Sequence, residues 1–185
     1  MLKHIGTKTI NTDRLVLRRF EINDANDMFK NWASDKEVSK FLTWDVHKDV
    51  MFTQLLLDSW ISQYSDDRNY HWAIELKEIK EVIGDIKVFH LKDKHACCEI
   101  GYCLSRNHWN KGFMSEALNA VIKYLFEEIG LNRIVAMHNT KNIASGKVMI
   151  KNNMKYEGTL RQAGRLNDTF YDLSVYSILK SEWNV

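Results

Sequence analysis

The stretch NHWNKGFMSEALNAVIKYLFEEIG (Asn107–Gly130) decides how this chain is read. Gly112 stands where a polar loop turns into a helix, and Ala117, Leu118, Val121, Ile122 and Leu125 recur at the helical period. Gly130 falls where such a helix stops. Just upstream, ACCEIGYCLS (96–105) is the most uniformly apolar run, the pattern of a central strand covered on both faces. Strand, short loop, glycine and amphipathic helix together present unpaired backbone N–H groups, and the positive end of the helix dipole, to an anion. Gly112 permits close approach to the backbone and Lys111 adds a charge beside it. The loop lacks the Gly-Lys-Ser/Thr of a P-loop and the three spaced glycines of a dinucleotide-binding turn. On these residues alone, a plain helix start and an anion site both remain open.

Outward from this point the pattern alternates between strand and helix. RLVLRRF (14–20) reads as a half-buried strand, EINDANDMFKNWASD as a capped helix, and KDVMFTQLLLDSWISQY as a second helix with Val50, Leu57, Ile61 and Tyr64 at helical spacing. YHWAIELK and EVIGDIKVFHL read as two strands joined by a charged turn around Lys77 to Glu81. RIVAMHN (133–139) is a strand, NIASGKVMIKNN a shorter helix, and KYEGTLRQAGRLNDTFYDLSVYSILK strand, polar loop and strand. Strand–helix–strand units in the middle imply parallel neighbours, and the strand runs at both ends imply antiparallel ones. The expected fold is α/β: one domain over residues 1–185, built on a mixed, mostly antiparallel sheet of six to seven strands with helices on both faces.

Composition narrows the function classes. Twenty-six basic against 24 acidic residues, net +2, do not suggest a nucleic-acid or membrane surface. The chain shows no apolar run of membrane-spanning length and no signal-peptide core, so a cytoplasmic protein is expected. Cys97, Cys98 and Cys103 are odd in number, and the adjacent pair points to opposite faces of a strand, which argues for reduced core cysteines. The seven histidines show no metal-ligand spacing, so no metal is expected.

Taken together, EIGYCLSRNHWNKGFMSEAL and LNRIVAMHNTKNIASGKVMIKNNMKYEGTLRQ resemble the GCN5-related N-acetyltransferase (GNAT) superfamily. TDRLVLRRFEINDANDMFKNWASDKEV and RLNDTFYDLSVYSILKSEW are similar to its branch of ribosomal-protein alanine/serine N-terminal acetyltransferases. The resemblance spans roughly residues 10 to 183. It implies acetyl-CoA as co-substrate and an acceptor that is a protein N-terminus or a small amine. It also implies a homodimer paired through the sheet or the C-terminal strands.

The family's loop, Arg/Gln-x-x-Gly-x-Gly/Ala, falls on Trp109, Gly112 and Met114. Only Gly112 matches, and Met114 is expected to turn into the core so that the backbone stays open. The resemblance implies that Tyr102, Cys103 and Leu104 bond the pantetheine arm and polarise the thioester carbonyl. The amides of Lys111, Gly112, Phe113, Met114 and Ser115 would hold the pyrophosphate. Asn142 and Ser145 match the Asn-x-x-Ser that opens the next helix, where the asparagine contacts the cofactor, although Asn142 reads equally as a helix cap. Trp44, Trp72 and Tyr171 fall in segments that line the branch's acceptor cleft, against the plainer reading of core aromatics.

Acetyl transfer needs a neutral amine, close approach, an oxyanion donor and a proton for the leaving thiolate. The glutamate that some members carry before the asparagine is Met137 here, and the frequent tyrosine acid is Met149. Glu99 is the remaining candidate base, acting through water, and Ser145, matching the branch's serine near the CoA sulfur, is the candidate proton donor. The missing Glu and Tyr leave a non-catalytic acyl-CoA-binding module open as a further reading.

Overall fold

Leu15 and Leu17 alternate with Val16 and Arg18, and both leucines are fully buried in a computed structural model that describes residues 2–166 and 168–183. The strands are β1 (Ile10–Asn11), β2 (Leu15–Arg18), β3 (His71–Leu76), β4 (Glu81–Lys92), β5 (Cys97–Leu104), β6 (Arg133–Asn139), β7 (Lys155–Leu166) and β8 (Thr169–Leu179). The helices are α1 (Ala25–Met28), α2 (Lys36–Ser39), α3 (Val50–Ser62), α4 (Phe113–Tyr124), α5 (Ile143–Lys151) and α6 (Lys180–Trp183). Among the described residues eight strands lie in the order β1-β2-β3-β4-β5-β6-β8-β7. β5 and β6 run parallel, whereas β1 with β2, β2 with β3, β3 with β4, β6 with β8 and β7 with β8 are antiparallel. The sheet thus has one strand more than the six to seven expected, because β1 is two residues long and carries no alternation to read.

The chain divides into two compact units. One gathers His4–Lys87 with Tyr102–Ala117; the other gathers Val88–Gly101, the chain from Leu118 onward and its first three residues. In the first unit Phe20, Met28, Trp32, Leu57, Tyr64, Ala73 and Val82 form one apolar cluster. The helix expected after β2 is a 3-10 turn (Ile22–Asp24), α1 and a π turn (Phe29–Ala33) in succession. Arg18 ties its start to the sheet, donating to both oxygens of Asp24 at 2.8 and 2.9 Å and to Glu75 at 2.7 Å. Asp49 caps α3 by accepting from the Phe52 amide at 2.8 Å.

In the second unit the parallel pairing covers Cys97–Glu99 against Arg133–Val135, as the strand–helix–strand pattern predicts. β5 itself corrects one expectation. Cys98, Ile100 and Leu104 are buried while Cys97, Glu99, Gly101, Tyr102 and Cys103 are only partly so, an alternation hidden by small and sulfur-bearing residues on the open side. All three cysteines are free thiols. The polar loop read in QAGRLNDTF is also corrected: Gly164, Arg165 and Leu166 pair with Tyr171, Phe170 and Thr169 in a tight β7–β8 hairpin. A register shift between Leu160 and Gly164, with Gln162 at φ 51°, breaks the alternation that would have marked the strand.

Arg133 on β6 grips Glu157 on β7 with both terminal nitrogens, and Ser177 donates to the same carboxylate at 2.7 Å. Arg133 is the largest influence and holds Glu157 down at about 2, with the serine second. A folded-state pKa below the ordinary 4.5 means stability that is present above pH 4.5 and lost as pH falls toward about 2. Melting temperatures between pH 5 and pH 2 should therefore fall more steeply for the wild type than for Glu157→Gln. Parallel curves would deny the pair that role.

Candidate functional site

The candidates divide between the two units, and each set has its own geometry. In the first unit, β5 ends at Leu104 and the backbone turns through Arg106–His108, a 3-10 turn, toward α4. The Trp109 indole N–H donates to the Leu104 carbonyl at 2.8 Å, which pins the turn to the strand end. Asn110 (φ 61°) and Gly112 (φ 81°) both adopt left-handed backbone, so two reversals within three residues set the entry to α4. At the start of α4 the Glu116 amide donates to the Gly112 carbonyl at 3.0 Å. The amides of Phe113, Met114 and Ser115 precede it and have no acceptor in the preceding turn. Phe113 and Met114 are buried while Lys111 is exposed, so the bulk of Met114 turns inward as expected.

Arg14, at the threshold of β2, closes this turn and was not singled out from the sequence. Its guanidinium lies 4.4 Å over the Phe113 ring, donates to the Lys111 carbonyl at 3.0 Å and pairs with Glu116 at 2.7 Å. Thr12 and the Arg14 amide hold the other Glu116 oxygen at 2.6 and 3.0 Å. Burial pushes Glu116 upward, but these bonds outweigh it and hold the carboxyl below its ordinary value. Nothing in local spacing connects Arg14 to a loop some hundred residues on; only the fold does. Two buried polar atoms of the turn, Ser105 Oγ and His108 Nδ1, have no hydrogen-bond partner among the described residues. Burial and Lys111 hold His108 below its ordinary value. Tyr102 and Cys103 are half-buried beside Leu104, and burial, with Asp85 second, pushes the Cys103 thiol well up.

Of the aromatics assigned to an acceptor cleft, Trp72 is corrected. It is fully buried, stacked on Tyr70, with its indole N–H donating to the Lys8 carbonyl at 2.8 Å, so it has no face to offer a substrate. Trp44 is half-buried, set against the His47 ring and the apolar cluster.

The second unit holds the other candidates. Glu99 stands on β5 opposite Val135, with 26% of its side chain exposed and the His90 Nε2 4.0 Å away. Burial raises its pKa above the ordinary carboxylate value, while His90 and Lys92 pull the other way. Asn142 caps α5, accepting from the Ser145 amide at 3.3 Å, and its own amide donates to the Asn139 carbonyl at 2.7 Å. Ser145 is half-buried in the first turn of that helix. Gly146 follows it beneath the His138 ring, where a Cβ would come within 2.8 Å of Nε2. Met149, at the tyrosine-acid position, is buried, and Met137 pairs with Val175. Tyr171 lies across Gly164 of the facing strand, so its ring covers the hairpin.

The first unit therefore brings together Tyr102 to Leu104, Trp109 and Lys111 to Ser115. The second brings together Asn142 and Ser145, while Glu99 and Tyr171 sit on β5 and β8. Among the described residues no group of three His, Cys, Asp or Glu side chains is placed to hold a metal, and no helix is long and apolar enough to cross a membrane.

Residues 14–155 match the model of the acetyltransferase (GNAT) domain. The chain is 36% identical over 171 residues to the uncharacterized N-acetyltransferase YoaA of Bacillus subtilis (strain 168), covering 92% of this chain and 96% of that one. It is 34% identical over 110 residues to the ribosomal-protein-serine acetyltransferase of Escherichia coli (strain K12), covering 60% of this chain and 62% of that protein. Among solved structures, an acetyltransferase of the GNAT family from Bacillus anthracis superposes with a TM-score of 0.84 at 27% identity, covering 95% of this chain and all of the other.

Proposed function

The chain belongs to the acetyltransferase (GNAT) family and is an acetyl-CoA-dependent N-acetyltransferase, and from that premise we propose that its acceptor is the N-terminal α-amine of a protein or peptide. The similarity to a ribosomal-protein-serine acetyltransferase supports this acceptor class. So does the chemistry. An α-amine has a pKa near ~8 against ~10.4 for lysine, so about 3 kcal/mol less is needed to expose its lone pair at neutral pH. A site whose family glutamate is replaced by Met137 suits the easier amine.

The observation that carries the reading is the turn into α4, where left-handed Gly112, the amides of Phe113 to Ser115 and exposed Lys111 offer an anion backbone donors and a charge. In this reading the turn holds the pyrophosphate, and Tyr102 to Leu104 lie along the pantetheine arm, with one of their amides on the thioester oxygen. Within the second unit, the reading gives Asn142 a cofactor contact at the start of α5, Ser145 the proton for a departing thiolate and Glu99 a proton received through water. Transfer is direct: the amine nitrogen attacks the carbonyl carbon, the C–N bond forms, and the C–S bond breaks. The enzyme works from a single domain and as a homodimer.

Release of CoA from acetyl-CoA, measured with a panel of N-terminal peptides and small amines, tests the acceptor; preference for small amines over every peptide would overturn it. Gly112→Val tests the turn. A β-branched residue at φ 81° distorts the backbone that faces the anion, and the KM for acetyl-CoA should rise tenfold or more with kcat little changed. An unchanged KM removes the pyrophosphate from this turn.

A further inference from the structure

The first unit buries one acid–base pair that the roles above do not use. His71 on β3 is 1% exposed, and its Nε2 lies 2.9 Å from Asp85 Oδ2 on β4. A carboxylate only accepts, so Nε2 carries the hydrogen and donates it. Burial, the largest influence, keeps His71 below its ordinary value and therefore neutral near pH 7, although Asp85 opposes it. The residue is held at its backbone: the His71 amide donates to Thr7 Oγ1 at 2.9 Å, and the His71 carbonyl accepts from the Tyr64 hydroxyl at 2.8 Å. Phe20 meets the ring edge-on at 5.1 Å and Trp60 covers it at 4.5 Å.

Asp85, with 15% of its side chain exposed, is the reachable member of the pair. It neighbours β5 where the thioester is placed: Gly84 lies so close to the Cys103 carbonyl that a Cβ would stand 2.3 Å from the oxygen, and the Asp85 charge bears on the Cys103 thiol. The surroundings suit an alkylammonium, because Lys87 already holds its ammonium 5.8 Å over the Trp60 ring within reach of the Asp85 charge. The titratable groups bearing on Asp85 are thus His71 from β3, Lys87 from β4, Cys103 from β5 and Tyr64 beyond α3.

We propose that Asp85, oriented by His71, is the carboxylate that receives the acceptor's ammonium and takes its proton before attack. This rests on the acetyl-transfer reading given above. The proton passes from the ammonium nitrogen to an Asp85 oxygen, leaving a neutral amine and a carboxylic acid. The amine lone pair then forms the C–N bond, the nitrogen's remaining excess proton leaves to solvent water, the C–S electron pair departs on the thiolate, which takes a proton from water, and the Asp85 acid returns its proton to solvent. One proton is released to solvent per turnover. Asp85 is a catalytic residue in this scheme and His71 a positioning residue.

Asp85→Asn keeps the shape and removes the base. It should lower kcat/KM for the amine 100-fold or more while the acetyl-CoA Kd stays within twofold. A rate within threefold of wild type overturns the proposal. If Asp85→Asn fails to fold, Asp85→Glu decides, since it keeps the charge and displaces it by a methylene: a tenfold or larger loss supports the role, and an unchanged rate overturns it. His71→Leu removes the donor that stabilises the charged carboxylate, so the acid limb of the kcat/KM profile should move to higher pH, and His71→Gln, which can still donate, should restore it. An unmoved limb in His71→Leu denies the orientation. Wild-type protein that binds no acetyl-CoA would overturn the underlying acetyl-transfer reading instead, so the two failures are distinguishable.

Discussion

Gly84→Val should cost the protein about 3 kcal/mol or more of stability and abolish acetyl transfer in what remains folded. The neighbour of the missing side chain is backbone: a Cβ at Gly84 would lie 2.3 Å from the Cys103 carbonyl oxygen and 3.1 Å from the Leu104 Cα. No rotamer change relieves such a contact, so β4 and β5 must part. The displaced atoms are those of Cys103 and Leu104, the strand residues assigned to the thioester arm. For a chain of this length the loss corresponds to a melting temperature lower by about 6–12 °C. Gly101→Ala is the internal comparison, because its new Cβ meets only the Phe89 ring at 2.9 Å, and a side chain that is itself exposed can swing away. Melting curves and calorimetric titration with acetyl-CoA should show a severe effect at position 84 and a mild one at position 101. Equal and small effects at both would mean that the close approach of the two strands matters neither to the fold nor to the cofactor.

The same contrast explains what could be read in advance. The turn into α4 was legible because its signal is local: an apolar strand, a glycine and a helical period within some thirty residues decide it without help from the rest of the chain. The inward turn of Met114 was expected on another ground, that the loop's contacts to an anion run through backbone amides, and Met114 is buried. β1, α2 and α6 escaped, since two to four residues carry no period at all. The β7–β8 hairpin was mistaken for a loop because a bulge and a positive φ at Gln162 break its alternation. Arg14 and the His71–Asp85 pair are contacts of another kind. In YHWAIELK and EVIGDIKVFHL the histidine and aspartate look like ordinary polar positions of two strands. Only the register that sets His71 against Lys87 and Ala73 against Asp85 makes them diagonal neighbours. Residue type identifies a possible proton carrier, but its partner is chosen by pairing that no window of the sequence contains.

Trp72 shows how far that limitation reaches, and its truncation is the second large effect. Trp72→Ala removes a fully buried indole, for which core truncations cost about 3–5 kcal/mol, and it also strips the Lys8 carbonyl of its donor. The melting temperature should fall by about 6–20 °C. Trp72→Phe is the more telling change, because it keeps most of the ring volume and loses the 2.8 Å bond to Lys8, at a cost of about 0.5–1.5 kcal/mol. Were Trp72 a wall of the acceptor cleft, Trp72→Phe would raise the KM for the amine while leaving the melting temperature nearly unchanged. A residue buried against Tyr70 predicts the reverse: a lower melting temperature, with the amine KM within twofold of wild type. Thermal unfolding and steady-state kinetics on the one variant separate the two. The outcome turns on where the aromatic ring ends up, which its place in the sequence did not determine, since Trp44 and Trp72 carry the same side chain and only Trp44 keeps part of its surface open.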